Sequence, residues 1–164
     1  MTNDVFSNVD PDDFHGAKIS LHDCVCDKIL LENNTICFFF PDGFWITPDH
    51  GENDCGKVVR TDASAVEFYV ADISGVTARM FTEERFLGLK KSRAETWDLA
   101  QLISALNERN CTLEFVTQYR SFYEQLWYCV IHSDKKPYYR ECYLHLPRAN
   151  ASFYWNRLCE EREW

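Results

Sequence analysis

His22, Cys24 and Cys26 stand at alternate positions of one extended stretch, and an imidazole with two thiolates is a donor set that suits zinc. The spacing opposes that reading. Residues two apart on a strand are separated by about 6.6 Å along the backbone, so three in succession do not converge on one ion without a sharp bend. The eight cysteines, Cys24, Cys26, Cys37, Cys55, Cys111, Cys129, Cys142 and Cys159, include no Cys-x-x-Cys pair. No metal ligand and no cofactor is therefore assigned, and small buried or half-buried thiols are expected. Asp23 and Asp27 fall on the face of the same stretch that otherwise reads dry. An unpaired buried carboxylate is costly and has a raised pKa, so these two, with His15 and His22, are where acid–base or cation chemistry would show. A bulge near Asp23 would instead turn it to solvent. Cys129 with His132, or Cys142 with His145, cannot make a nucleophile and base from proximity in sequence, because strand residues three apart face opposite sides. The chain has no GxSxG, no HExxH and no phosphate-binding glycine loop, and no catalytic residue is assigned.

Aromatic side chains carry more information. Twelve Phe, eight Tyr and five Trp form a large burial reserve that favours sheets. In the last third, Tyr123, Trp127, Tyr139, Tyr143 and Trp155 are interleaved with Glu124 and Glu141. Rings with carboxylates between them have the composition of a protein-binding patch, and these seven are the candidate binding residues. The alternative use of the same rings is a packed sheet core. The formal charge is -9, from 17 Lys plus Arg against 26 Asp plus Glu. That balance repels a phosphate backbone and attracts a basic protein, so a protein partner is expected and nucleic acid is not.

The elements that must position these groups are mostly strands. From Ala17 to Leu31 the odd positions carry Ala17, Ile19, Leu21, Val25, Ile29 and Leu31 and the even ones are mostly polar or thiol, the pattern of one strand with a wet and a dry face. Asn33-Asn34 and Pro41-Asp42-Gly43 are turn signals that fold the chain into Thr35–Phe40 and then Phe44–Ile46, with Phe38, Phe40, Phe44 and Ile46 buried together. Residues 47–56 read as a lid or connecting loop. Short strands follow over Lys57–Arg60, Ala65–Ala71 and Val76–Thr82, then a mixed segment from Glu83 to Lys91. Ser92-Arg93-Ala94-Glu95 has capping-box spacing and predicts a helix over about 93–108 whose stripe is Leu99, Leu102, Ile103 and Leu106. Beyond it, Phe122–His132 and Tyr138–Leu146 alternate, with Leu126, Tyr128 and Val130 opposite in face to Trp127, Cys129 and Ile131, and Tyr139, Glu141, Tyr143 and His145 opposite to Cys142, Leu144 and Leu146.

The resulting expectation is one α+β domain over 1–164, with residues 1–14 a loose acidic lead-in. Eight to ten antiparallel strands form an open barrel or two layers, and the helix covers one side. The first residues hold no basic n-region, and no stretch approaches about 18 apolar residues. A cytoplasmic chain with reduced cysteines and no membrane span follows as an expectation. Asp13-Phe14-His15-Gly16-Ala17-Lys18-Ile19, followed by a polar turn and Thr35–Phe40, resembles the start of small uncharacterised bacterial proteins grouped with toxin-immunity proteins. The resemblance covers about the first quarter of the chain. It implies an acidic antiparallel sheet with a helix that binds and blocks a cognate toxin, and it brings no catalytic residues. The expected function is a noncatalytic binding protein for another protein, such as an immunity protein against a basic toxin. A small-ligand module with an aromatic-lined cavity stands second and an unrecognised hydrolase third.

Overall fold

A computed structural model describes residues 7–8, 18–86, 89–121 and 124–163. His15, Tyr123 and most of the 1–14 lead-in lie outside the described residues, as does most of the 13–19 stretch that carries the family resemblance. The first part of the chain forms β1 (Ser7–Asn8), β2 (Ile19–Ser20), β3 (Cys24–Cys26), β4 (Lys28–Glu32), β5 (Thr35–Phe40) and β6 (Trp45–Ile46). Next come β7 (Val59–Thr61), β8 (Ser64–Val70), a 3-10 turn (Ile73–Gly75), β9 (Thr77–Phe86), β10 (Leu89–Asp98) and the helix α1 (Leu99–Glu108). The last part supplies β11 (Thr112–Arg120), β12 (Glu124–His132), β13 (Tyr139–Pro147), β14 (Ala149–Tyr154) and β15 (Leu158–Glu163).

Two large antiparallel sheets face each other, ordered β1-β14-β8-β5-β4 and β10-β9-β13-β12-β11-β3, and a smaller one, β15-β7-β6-β2, flanks them. The architecture is α+β, mostly antiparallel strand with one helix, and it is layered rather than closed into a barrel. No helix among the described residues is long and apolar enough to cross a membrane. Between the sheets the rings interlock edge to face: Phe38 lies 5.6 Å from Phe68 and 5.5 Å from Phe115. Across the six-stranded sheet one inward row runs Cys24, Phe115, Cys129, Cys142, Met80, each directly opposite the next. All five are fully buried. Small thiols thus flank the large Phe115 ring on both sides, an alternation of volumes of the kind that fills a core layer.

The single strand expected over Ala17–Leu31 is three. Leu21 is buried, the chain turns at His22-Asp23 with Asp23 at φ 55, and Cys24 and Cys26 then point inward while Val25 is only half-buried. At Asp27 the phase shifts again, so that Ile29 is buried as β4 joins the other sheet. Each aspartate is therefore a phase break. Because a strand alternates with period two, a one-residue insertion moves every later side chain to the other face. Asn33 at φ 53 makes the expected hairpin between β4 and β5. The Pro41–Gly43 turn instead sends β6 into the small sheet, where it pairs with β2 and β7. Gly43 adopts φ +76 against the carbonyl oxygens of Thr61 and Asp62, leaving no room for a Cβ.

The helix starts at Leu99, not Arg93. Residues 89–98 pair along their whole length with β9, a tighter use of Thr96 and Trp97 than a helix offers. The working cap is Asp98, whose Oδ1 accepts from the Gln101 amide at 2.8 Å while Gln101 Oε1 accepts from the Asp98 amide at 3.0 Å. Leu99, Leu102, Ala105 and Leu106 form the buried face, and Ile103 is only half-buried. Asn107 joins the helix to β4: its Nδ2 donates to the Ile29 carbonyl at 2.6 Å and its Oδ1 accepts from the Ile29 amide at 2.9 Å. We expect Asn107→Ala to lower unfolding free energy by about 1–3 kcal/mol, since two backbone groups lose their partners. A urea titration reads this directly, and an unchanged midpoint would show that water replaces the amide at no cost.

Candidate functional site

The inward row dictates what appears outside. With Cys129 opposite Cys142 in the core, period two places Tyr128 opposite Tyr143 on the outer face of the same two strands. Tyr143 is in turn opposite Arg79 of β9, and Phe81 lies two residues further along β9. Three rings form a row across three strands. Tyr128 and Tyr143 have centroids 5.4 Å apart, Tyr143 meets Phe81 edge to face at 5.8 Å, and the Arg79 guanidinium lies 5.3 Å from the Phe81 centroid. Leu126 and Val130, half-buried like the rings, border them on β12.

Carboxylates frame this face. Glu141 is opposite both Phe81 and Val130, and Glu114 is opposite Val130. Burial first, then the Glu141 carboxylate in hydrogen-bond contact, pushes the Tyr128 phenol up. His132 Nε2 lies 2.7 Å from Glu114 Oε2, and His145 Nε2 lies 3.4 Å from Glu124 Oε2. Tyr139 stands at the margin, 67% exposed. Of the seven candidate binding residues, Tyr139, Tyr143, Glu124 and Glu141 thus share the outer face of β12 and β13. Trp127 lies on the opposite side, packed at 5.2 Å against Phe115 in the core. Trp155 is buried against Phe44 and His50, at 5.8 and 5.6 Å. Tyr128, Phe81 and Arg79 were missing from the candidates, although the alternation of β12 already set Tyr128 apart from Trp127.

Of the positions singled out for acid–base chemistry, the described ones, His22, Asp23 and Asp27, are structural. The His22 ring nitrogen Nδ1 pairs with the Val116 carbonyl, at the bulge between Phe115 and Thr117, and its Nε2 lies 3.5 Å from Asp23. The Asp23 amide donates to the Phe115 carbonyl at 2.8 Å, and Trp45 Nε1 donates to the His22 carbonyl at 3.0 Å. Asp23 and Asp27 both face solvent. Loop 47–56 is tied down by Asn53, whose Nδ2 reaches the carbonyls of Ile46, Thr47 and Lys57 at 3.1, 2.9 and 2.9 Å. His50 is buried beneath it, and desolvation holds its imidazole below the ordinary range.

The thiols are poor nucleophiles for the same physical reason. Burial pushes Cys24, Cys26 and Cys142 up to about 12, and Cys37 to about 11. The neighbouring Arg60 guanidinium, stacked 4.7 Å from the Trp45 ring, opposes but does not overcome the effect at Cys24. Cys24 and Cys26 were expected on the wet side with His22; their burial separates them from it. Among the described residues, no group of three or more His, Cys, Asp or Glu could hold a metal ion.

A second concavity lies between α1 and the 3-10 turn, an open groove of about 390 Å³ with Leu31, Ile73, Val76, Leu99 and Ile103 on its walls and Asp98 and Glu108 on its margin. None of the described residues lining it is aromatic. Compared with known proteins, the chain matches no family model, no curated protein and no solved structure.

A thiol that the fold keeps protonated binds its proton more tightly folded than unfolded. Its contribution to stability is whole below pH 9.0 and is lost as pH climbs toward about 12. We expect the urea midpoint to fall over that window, by up to about 1.4 kcal/mol per pH unit for each such thiol. Cys142→Ala removes one thiol's share of the slope. An identical slope in that variant would place the alkaline transition elsewhere.

Proposed function

We propose that the chain is a noncatalytic recognition protein that binds a basic protein partner through the outer face of the six-stranded sheet, as an immunity protein binds a toxin. The observation that carries this reading is the row Phe81, Tyr143, Tyr128, half-exposed on a rigid sheet and bordered by Glu114, Glu141 and Glu124. Rings supply apolar contact area at low entropic cost and present negative faces to a guanidinium or ammonium. Carboxylates at the border give the charge complement, and the formal charge of -9 speeds encounter with a basic partner. Arg79 over Phe81 is already an example of the contact that an incoming arginine would make with the remaining rings. A cytoplasmic setting belongs to the same proposal, since it keeps the eight cysteines as thiols.

A small-ligand module draws its support from the 390 Å³ groove, which has the volume of a ligand site. Its aliphatic, open form fits that role less well than an aromatic-lined cavity would. A hydrolase draws least support: the buried thiols are held protonated, and His22 is tied to a backbone carbonyl.

The test is a capture from the source cell with wild-type chain and with Tyr128→Ala/Tyr143→Ala, followed by reconstitution with the purified captured protein. The expected partner is basic, and its affinity falls with added salt. In the double variant Kd rises by about tenfold to a hundredfold while the urea midpoint changes little. A captured protein that binds wild type and double variant equally, or that is acidic, would overturn the reading.

A further inference from the structure

The groove along α1 is a surface distinct from the ring row. Its walls are aliphatic: Leu99 and Ile103 on the helix, Ile73 and Val76 at the 3-10 turn, and Leu31, which is 42% exposed at the end of β4. Asp98 and Glu108 mark its two ends, about as far apart as the helix is long. Both carboxylates are held in place by the chain itself, Asp98 as the helix cap and Glu108 by the Ser104 hydroxyl at 2.7 Å. Asp72 caps the 3-10 turn that forms the facing wall, its Oδ1 accepting from the Ser74 amide at 2.9 Å. Among the described residues no lysine or arginine lines the groove, and none pairs with these three carboxylates. An apolar furrow thus lies between fixed carboxylates that no lysine or arginine among the described residues pairs with.

Charge decides between the possible occupants. The chain's own residues 1–17 carry Asp4, Asp10, Asp12 and Asp13 and no lysine or arginine, so docking them here would bring like charges together. A second copy of the chain brings a further formal charge of -9 to the same acidic margin. A foreign segment with apolar side chains on one face and Lys or Arg beside them satisfies both the walls and the rim. Along α1 the furrow is bordered by Leu99 and Ile103, and by Ala100 and Ser104, each pair four apart on the helix. Those rows are ridges, and the i, i+4 ridge of another helix packs into the groove between them, where the small Ala100 and Ser104 let it approach. We propose that this groove docks a basic amphipathic helix of a partner protein, its leucine-type side chains between α1 and the 3-10 turn and its cations against Asp98, Glu108 and Asp72. None of these residues belongs to the ring row, so this site stands or falls separately from it.

The experiment titrates the isotope-labelled full chain with a synthetic Leu/Lys amphipathic helix, with its Leu/Glu counterpart, and with dodecyltrimethylammonium below its micelle concentration. The Leu/Lys helix is expected to shift the amide signals of Leu31, Ile73, Leu99 and Ile103, and the Leu/Glu helix is not. Ala100→Tyr fills the groove and Glu108→Lys reverses one end, the latter at a helix C-terminus where a cation is tolerated. Each is expected to weaken the Leu/Lys helix at least about tenfold, and Tyr128→Ala/Tyr143→Ala is expected to leave it unchanged. Shifts that instead follow the ring row and vanish in the tyrosine double variant would overturn the proposal. So would full-strength binding by both groove variants, or no binding at all. Equal shifts at equal affinity from the detergent cation would make the groove a site for small amphiphiles and not for a helix.

Discussion

Phe115 is where the two large sheets meet. Its ring lies 5.5 Å from Phe38 and 5.4 Å from Phe40 across the sandwich, and 5.2 Å from Trp127 within its own sheet. Its carbonyl holds the Asp23 amide, and the residue after it, Val116, holds the His22 ring. A ring of this size can be flanked along the strand row only by small side chains, and Cys24 and Cys129 are the small apolar neighbours found there. Four of the eight cysteines, Cys24, Cys26, Cys129 and Cys142, have no solvent exposure, and their chemistry is quenched as a consequence of packing.

The same constraint reaches the outer surface. Once Cys129 and Cys142 are paired inside, the tyrosines one residue away on each strand are paired outside, with no further freedom. The ring row is therefore as rigid as the core that sets it, which is what a recognition surface needs in order to lose little entropy on binding. The groove differs in origin. It exists because α1 begins late, at Asp98, after β10 has used residues 89–98 as strand; a helix started at Arg93 would have no such cap at that margin.

How much of this was legible depended on whether the period or the residue type carried the signal. The faces of β12 and β13 were readable because their alternation is unbroken over nine residues each. The hairpin at Asn33-Asn34 was readable from its turn chemistry. The stretch from Ala17 to Leu31 was misread because cysteine was counted with the polar set, which made two phase breaks look like one continuous strand with two misplaced aspartates. Those aspartates were the available signal: Asp23, in the left-handed region, and Asp27 mark the places where the chain changes face. For the helix, the sequence signal was the Ser92 and Glu95 spacing, whereas the cap in the fold is Asp98 with Gln101. The pairing of β10 with β9, the strand just before it, keeps residues 89–98 extended and leaves Asp98 as the cap. Residue type alone also could not distinguish Trp127, which faces Phe115, from Tyr128, which faces outward beside Glu141.

Asn107 has a consequence beyond the stability of one helix. β4 is the terminal strand of its sheet, and Leu30 and Leu31 on it are 45% and 42% exposed. An edge of this kind, apolar and with open backbone groups, is a template on which another chain can add a strand. The side-chain amide of Asn107 occupies the donor and acceptor of Ile29, the second residue of that edge strand, imitating the next strand for one residue and no more. With that position taken, Ile29 cannot pair with a strand of another chain, one of the devices by which a sheet edge is kept from adding a strand.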